Sequence, residues 1–206
     1  MKLSNDYKNI VKLRFSNLEK LDNNFFDSFY VGIEKPNEFN IDLFEQFSLQ
    51  EILYYLKKSH IEYLTIWFPK LENLVNQLQN EFGVDDLTLT LQSFIVNYYN
   101  ELSNHINFEE KVLYNFVEKL LKGVYIEKEK MFVLNHFLET HNHDVSDDLG
   151  TIQKVLLNKN PDLLNNPDAN TLFEQMSIIQ NDLTLHSLIE DEILMEKIHT
   201  YIANYF

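Results

Sequence analysis

Two ten-residue stretches share one pattern: HINFEEKVLY at 105–114 and HSLIEDEILM at 186–195. Each reads His, two residues, Phe or Ile, Glu, an acidic residue, one residue, Val or Ile, then Leu. On a helix, a residue four positions on lies one turn along the same face. His105 with Glu109, and His186 with Glu190, can therefore each aim an imidazole nitrogen and a carboxylate oxygen at one point. That donor mixture suits iron, manganese or zinc. Two such pairs on different helices could each give one nitrogen and one bridging oxygen to a shared two-metal centre.

The spacing alone is cheap in an acidic chain: three of the seven histidines have Glu or Asp four residues later. An exposed pair of that kind is usually only a solvated helix face. Convergence carries more weight, because every long periodic segment offers a histidine on its apolar stripe. His60 lies on the first, His105 on the second and His186 on the fourth. The third offers His141 and His143, with Leu134, Leu138, Val145, Leu149, Ile152 and Leu156 marking its inward stripe. His141 falls on that stripe. His143 lies roughly 200° from Val145 at 3.6 residues per turn, yet Asp147 follows it at the four-residue spacing, so it stays as the second candidate. His136 and His199 read as structural or surface residues. Burying several imidazoles and two carboxylates without a partner is costly, and one metal cluster would satisfy them together.

The elements that must position these residues follow from periodicity and punctuation. Ser48 followed by Glu51 is a capping box, and Leu53, Leu56, His60, Leu64, Trp67, Leu71, Leu74 and Leu78 recur at three- and four-residue steps. The spacing predicts a helix over 48–81, kinked at Pro69. FGVDD at 82–86 breaks the pattern. A second helix is predicted over 86–121, with Phe94, Tyr98, Leu102, His105, Glu109, Val112 and Phe116 on one face and Gly123 as its C-cap. A third is predicted over 127–158 and a fourth over 169–205, separated by a loop at 158–170 that holds two prolines. Residues 1–46 are mixed in pattern, with short helices predicted near 6–20 and 23–31 and a loop at 33–41. The expected architecture is all-α: an up-down-up-down four-helix bundle over 47–206, with a short helical N-terminal extension over 1–46.

Composition narrows the chemistry further. A net charge of −15 without any basic run argues against a nucleic-acid partner. No run of about 18 apolar residues occurs, so no membrane span is expected. The opening MKLSNDYKNI lacks the apolar core of a signal peptide, and cytoplasm is the expected location. With no cysteine, disulfides, thiolate metal sites, iron–sulfur ligation and a thiol nucleophile are excluded. There is no glycine-rich phosphate loop and no Gly-x-Ser-x-Gly elbow. The His-Glu-x-x-His spacing is also missing, and Glu-x-x-His occurs only at Glu196 and His199.

With the histidines placed, the chain resembles the hemerythrin-like, HHE cation-binding family, most closely the branch of di-iron proteins for repair of iron centres. The stretches that carry the resemblance are YLKKSHIEYL, with Pro69 and LENL just after it, then NHINFEEKVLYNFVEKL, FLETHNHDVSDDL and LHSLIEDEILMEKI. They fall within residues 48–200, in the family's order. The resemblance implies a bundle around a non-haem di-iron site held by His60, His105, Glu109, His141 or His143, His186 and Glu190. Zinc and manganese are the alternative metals.

Two departures stand out. The family commonly has a fifth histidine, and none lies between His60 and His105; Glu62, Glu72, Glu81 or water would take its place. The repair proteins often carry a functional cysteine in an N-terminal domain, and without one, cluster donation through a thiol is excluded.

The expected function is binding, sensing or detoxifying NO or O2, or support of iron–sulfur centre repair under nitrosative or oxidative stress. A small diatomic ligand is the expected partner, with a homodimer or an iron–sulfur protein as further partners. The rival readings are a non-redox helical interaction scaffold, a structural zinc bundle, or an oxidase or peroxidase using the same iron.

Overall fold

Polar caps and glycines set the helix ends. The computed structural model describes the chain apart from residues 1–2, 19–20, 84, 126 and 141–146, and apart from the side chains of 82, 136–140, 147–148 and 162. Among the described residues every regular element is helical and no strand occurs. Helix α1 (Asn5–Arg14) starts where Ser4 accepts the Tyr7 N–H. Helix α2 (Asn23–Glu34) starts where Asp22 accepts that of Phe25. Two 3-10 turns, Pro36–Glu38 and Ile41–Phe44, lead on from it.

Three long helices follow this start, each carrying one π-helical segment. Helix α3 comprises Leu49–Glu62, a π segment Tyr63–Trp67 and Phe68–Phe82. Helix α4 comprises Asp86–Glu109, a π segment Glu110–Tyr114 and Asn115–Leu121. Helices α5 (Glu127–Thr140) and α6 (Asp147–Lys159) lie on either side of residues 141–146. Helix α7 comprises Pro167–Leu188, a π segment Ile189–Leu194 and Met195–Tyr205.

The expected boundaries of the first, second and fourth long helices agree with these within about two residues; of the third, predicted over 127–158, the two ends match α5 and α6, and its middle at 141–146 lies outside the described residues. The Ser48–Glu51 capping box forms in both directions. Gly123 ends α4 at φ 78°, a left-handed conformation that favours glycine. Pro69 stands inside α3, at the second position of Phe68–Phe82. It has no N–H to give residue 65, and the π segment just before it has already shifted the hydrogen-bond ladder. The predicted loop at 158–170 contains a 3-10 turn, Pro161–Asn165, and α7 begins at Pro167, which suits a first helical turn. The short helix predicted to residue 20 ends at Arg14. The apolar stripe of α4 is rotated slightly from the predicted one. Leu91, Ile95, Tyr98, Leu102, Ile106, Glu109 and Leu113 are buried, while Phe94, His105 and Val112 are half-buried.

Helix α3 packs against α4 and α7, α6 packs against both α4 and α7, and α5 packs on α4. Helices α1 and α2 lean on α3 and α7 respectively. The N-terminal segment therefore shares the core: Phe15, Phe25, Phe29 and Phe44 meet Tyr55 of α3 in one aromatic cluster. Gly32 lies inside this region, and a Cβ there would meet the Phe39 ring. Overpacking costs about 1–3 kcal/mol, against about 1 kcal/mol gained in helix propensity. Gly32→Ala is expected to lower the chemical-denaturation midpoint, not raise it.

Candidate metal centre

The residues singled out in sequence converge, but not all of them. His60 on α3, Glu109 on α4, and His186 and Glu190 on α7 form a buried group. One ligand atom from each lies within 4.8 Å of all the others. Bonds of about 2.0–2.2 Å place the donors around one ion up to about 4.4 Å apart, so the group is close to the size of a single coordination sphere. His105 stands just beyond it: its Nε2 is 2.8 Å from Glu109 Oε1, while Glu109 Oε2 is 3.3 Å from His60 Nε2. The Glu109 carboxylate thus lies between two imidazoles. His141, His143 and the side chain of His136 lie outside the described residues. His199 is exposed, as expected.

The suggested substitutes for a fifth histidine do not reach the group. Glu62 is held by Arg14, Glu72 is exposed, and exposed Glu81 accepts from Asn166 Nδ2 at 3.0 Å.

The hydrogen bonds around the two buried imidazoles decide what the group can hold. Ser59 gives its hydroxyl proton to the Leu56 carbonyl at 2.7 Å. It therefore accepts from His186 Nδ1, 2.8 Å away. His60 Nδ1 is 3.2 Å from Glu110 Oε1, a carboxylate whose pKa is lowered chiefly by that hydrogen bond. An ionised carboxylate only accepts, so His60 Nδ1 also carries a proton. Both Nε2 atoms then turn lone pairs inward, and they are only 3.0 Å apart. Two facing lone pairs beside two carboxylates need a cation between them. In the metal-free protein that cation is a proton. Burial lowers the His60 pKa, but the hydrogen bonds it donates to Glu109 and Glu110 outweigh that and raise the pKa to about 9. The donor set therefore fits a metal cation, and a partner on the outer nitrogen is what orients metal-bound histidines.

This arrangement has two measurable consequences. Glu110→Gln keeps the shape but exchanges the carboxylate for an amide, and it is expected to weaken metal affinity about 10–100-fold in calorimetric titration. A metal must also displace the His60 proton. Because that proton stays bound below about pH 9, apparent metal affinity is expected to rise up to tenfold per pH unit and level off above that value.

One participant was not singled out in the sequence. The Tyr114 hydroxyl donates to Glu190 Oε1 and lies 3.4 Å from His60 Nε2. Its ring stacks on that of His60 at 5.2 Å and 11°. In a regular α-helix, five residues turn through 500°, which leaves Tyr114 roughly 140° from Glu109. The π segment Glu110–Tyr114 widens the turn and returns the phenol to the face of Glu109. Similar segments adjoin His60 and contain Glu190, and π-bulges are frequent at functional sites. Burial, then the Glu190 and Glu109 charges, hold the Tyr114 pKa well above its ordinary value.

A second buried network backs the first. Arg14 makes a two-pronged pair with Asp182 at 2.9 and 2.7 Å. It also reaches Glu62 through Nε and Nη2 at 3.0 and 2.8 Å. Asp182 lies one turn before His186, and Glu62 two residues after His60, so α1 clamps the two helices that carry the imidazoles. Tyr63 fills the space between the networks: its ring meets His186 edge-on at 5.7 Å, and its hydroxyl donates to the Asp182 carbonyl at 3.3 Å.

Compared with known proteins, the chain matches no protein-family model, no curated protein and no solved structure.

Proposed function

We propose that this chain is a non-haem metal-binding protein of the hemerythrin-like kind, which holds two irons in a four-helix bundle and binds or senses NO or O2. In this reading α3, α4, the α5–α6 pair and α7 are the four members of the bundle over 47–206, and residues 1–46 are an extension that braces it. One observation carries the reading: two buried Nε2 atoms 3.0 Å apart, each imidazole with its other nitrogen already committed. His60, His186, Glu190 and one oxygen of Glu109 would hold one ion. The other Glu109 oxygen, His105, and His141 or His143 would hold the second.

When bound, iron supplies an open coordination position and a reversible one-electron change. The chain does the rest. Glu109 and Glu190 offset the added positive charge, Ser59 and Glu110 fix the imidazole tautomers, and the burial of His60, Glu109, His186 and Glu190 excludes water. A second copy of the chain or an iron–sulfur protein belongs to the same proposal as a partner at the surface. No described helix is long and apolar enough to cross a membrane.

A structural zinc bundle is the second reading, favoured by the near-complete burial of His60, Glu109 and Glu190, since structural zinc sites are closed. Anaerobic loading with ferrous iron followed by NO separates the two. Stoichiometric uptake and a nitrosyl absorption band support the gas-binding reading. Tight zinc retention with no response of iron-treated protein to NO supports the structural one.

A further inference from the structure

The set of donors read from the sequence is one short of the family pattern, and the phenol of Tyr114 stands inside the group. Most buried tyrosine hydroxyls have a hydrogen-bond partner, and most such partners are backbone groups or ordered water. Here the partner is Glu190 Oε1, an oxygen of a candidate ligand, and the next neighbour is His60 Nε2 at 3.4 Å. Tyr114 is fully buried, and its ring is parallel to that of His60, so the oxygen is aimed by packing from two helices. Tyr63, whose ring also touches the group, shows the ordinary alternative: its hydroxyl turns away to the Asp182 carbonyl.

We propose that Tyr114 is itself a ligand, giving a phenolate oxygen to a ferric ion held by His60 and Glu190. This rests on the metal-centre reading above and names a donor that it does not require. A phenolate is a hard anionic oxygen of the kind that suits a ferric ion, and it lies where a cation drawn in by His60 and Glu190 would sit. On coordination the phenol O–H bond breaks and an O–iron bond forms. The proton passes first to Glu190 Oε1, which it already faces, and then to buffer. No electron moves, because the iron is supplied as ferric.

The test is ferric loading of the full chain, with iron counted by elemental analysis, a visible spectrum, and resonance Raman excited in any visible band. The expected result is a broad phenolate-to-iron charge-transfer band with enhanced tyrosine ring modes. Tyr114→Phe is expected to lose the band while keeping bound iron, and Tyr63→Phe to keep both. Circular dichroism and thermal unfolding of the metal-free variants check that each still folds. Iron bound without a phenolate band overturns the ligand assignment and leaves the metal centre standing. A band that survives Tyr114→Phe but not Tyr63→Phe assigns the phenolate to the wrong residue and also overturns it. Failure to bind iron at all, in a folded chain, removes the centre and the ligand together.

Discussion

His186→Ala is expected to leave a folded helical protein whose affinity for iron falls by more than about 100-fold, beyond the 10–100-fold cost of losing an outer partner. The side chain contributes one of the two inward Nε2 atoms, and without it the 3.0 Å confrontation with His60 disappears. The group then loses both a donor and much of the reason to take up a cation. In the metal-free state the substitution is expected to cost little, because it also relieves a buried cluster of charge and lone pairs, and Ala is a good helix former. The clearest readout is linkage: metal added to the parent chain raises its melting temperature as the folded state gains a ligand, and the variant shows no such rise. Calorimetric titration gives the affinity directly. Parent-like uptake by His186→Ala would place the metal elsewhere. His105→Ala differs in kind, since His105 meets the Glu109 oxygen that faces away from His60. It is expected to lower the stoichiometry from two ions to one, with the inner ion retained.

Arg14→Met is expected to destabilise the fold by about 3–5 kcal/mol, the range for removing one partner of a buried ion pair. Arg14 is fully buried and serves two carboxylates. Burial raises the Glu62 pKa, and Arg14 is the main influence that lowers it. Without the guanidinium, Glu62 and Asp182 face each other uncompensated. The loss is a loss of pairing more than of volume, so a triple variant with Arg14→Met, Glu62→Met and Asp182→Leu is expected to recover most of it. Urea unfolding of the single and triple variants, compared at a constant slope, measures both. If Arg14→Met unfolds at the parent midpoint, the clamp contributes nothing, and residues 1–46 are not the brace described above.

Much of the helical plan was open to reading because its signals are local. The Ser48–Glu51 box, Gly123 beyond α4 and the apolar steps through Leu53, Leu56, His60, Trp67 and Leu71 each act within a turn or two. His60, His186 and Glu190 were legible for the same reason, since they continue the buried stripe of their own helices. What stayed hidden depends on registers and partners that periodicity does not carry. Tyr114 falls off the α-helical face by roughly 140°, and it rejoins the group only through a π segment, for which the sequence holds no comparable mark. Ser59 and Glu110 matter through the tautomers they impose, which requires knowing which ring nitrogen faces them. Arg14 meets Asp182 across 168 residues of sequence, inside a segment whose pattern was mixed. Glu62 reads in sequence as a spare ligand, but its carboxylate is already committed to Arg14.

The most direct test of the metal centre is the metal content of the full chain, purified without chelator or metal-affinity steps and measured by elemental analysis. The chain should carry about two irons, and replacing His60 and His186 together should remove the ion bound at their facing nitrogens. A folded chain that carries no metal as purified and takes up neither iron nor zinc on titration would contradict the proposal that His60, Glu109, His186 and Glu190 are a metal site.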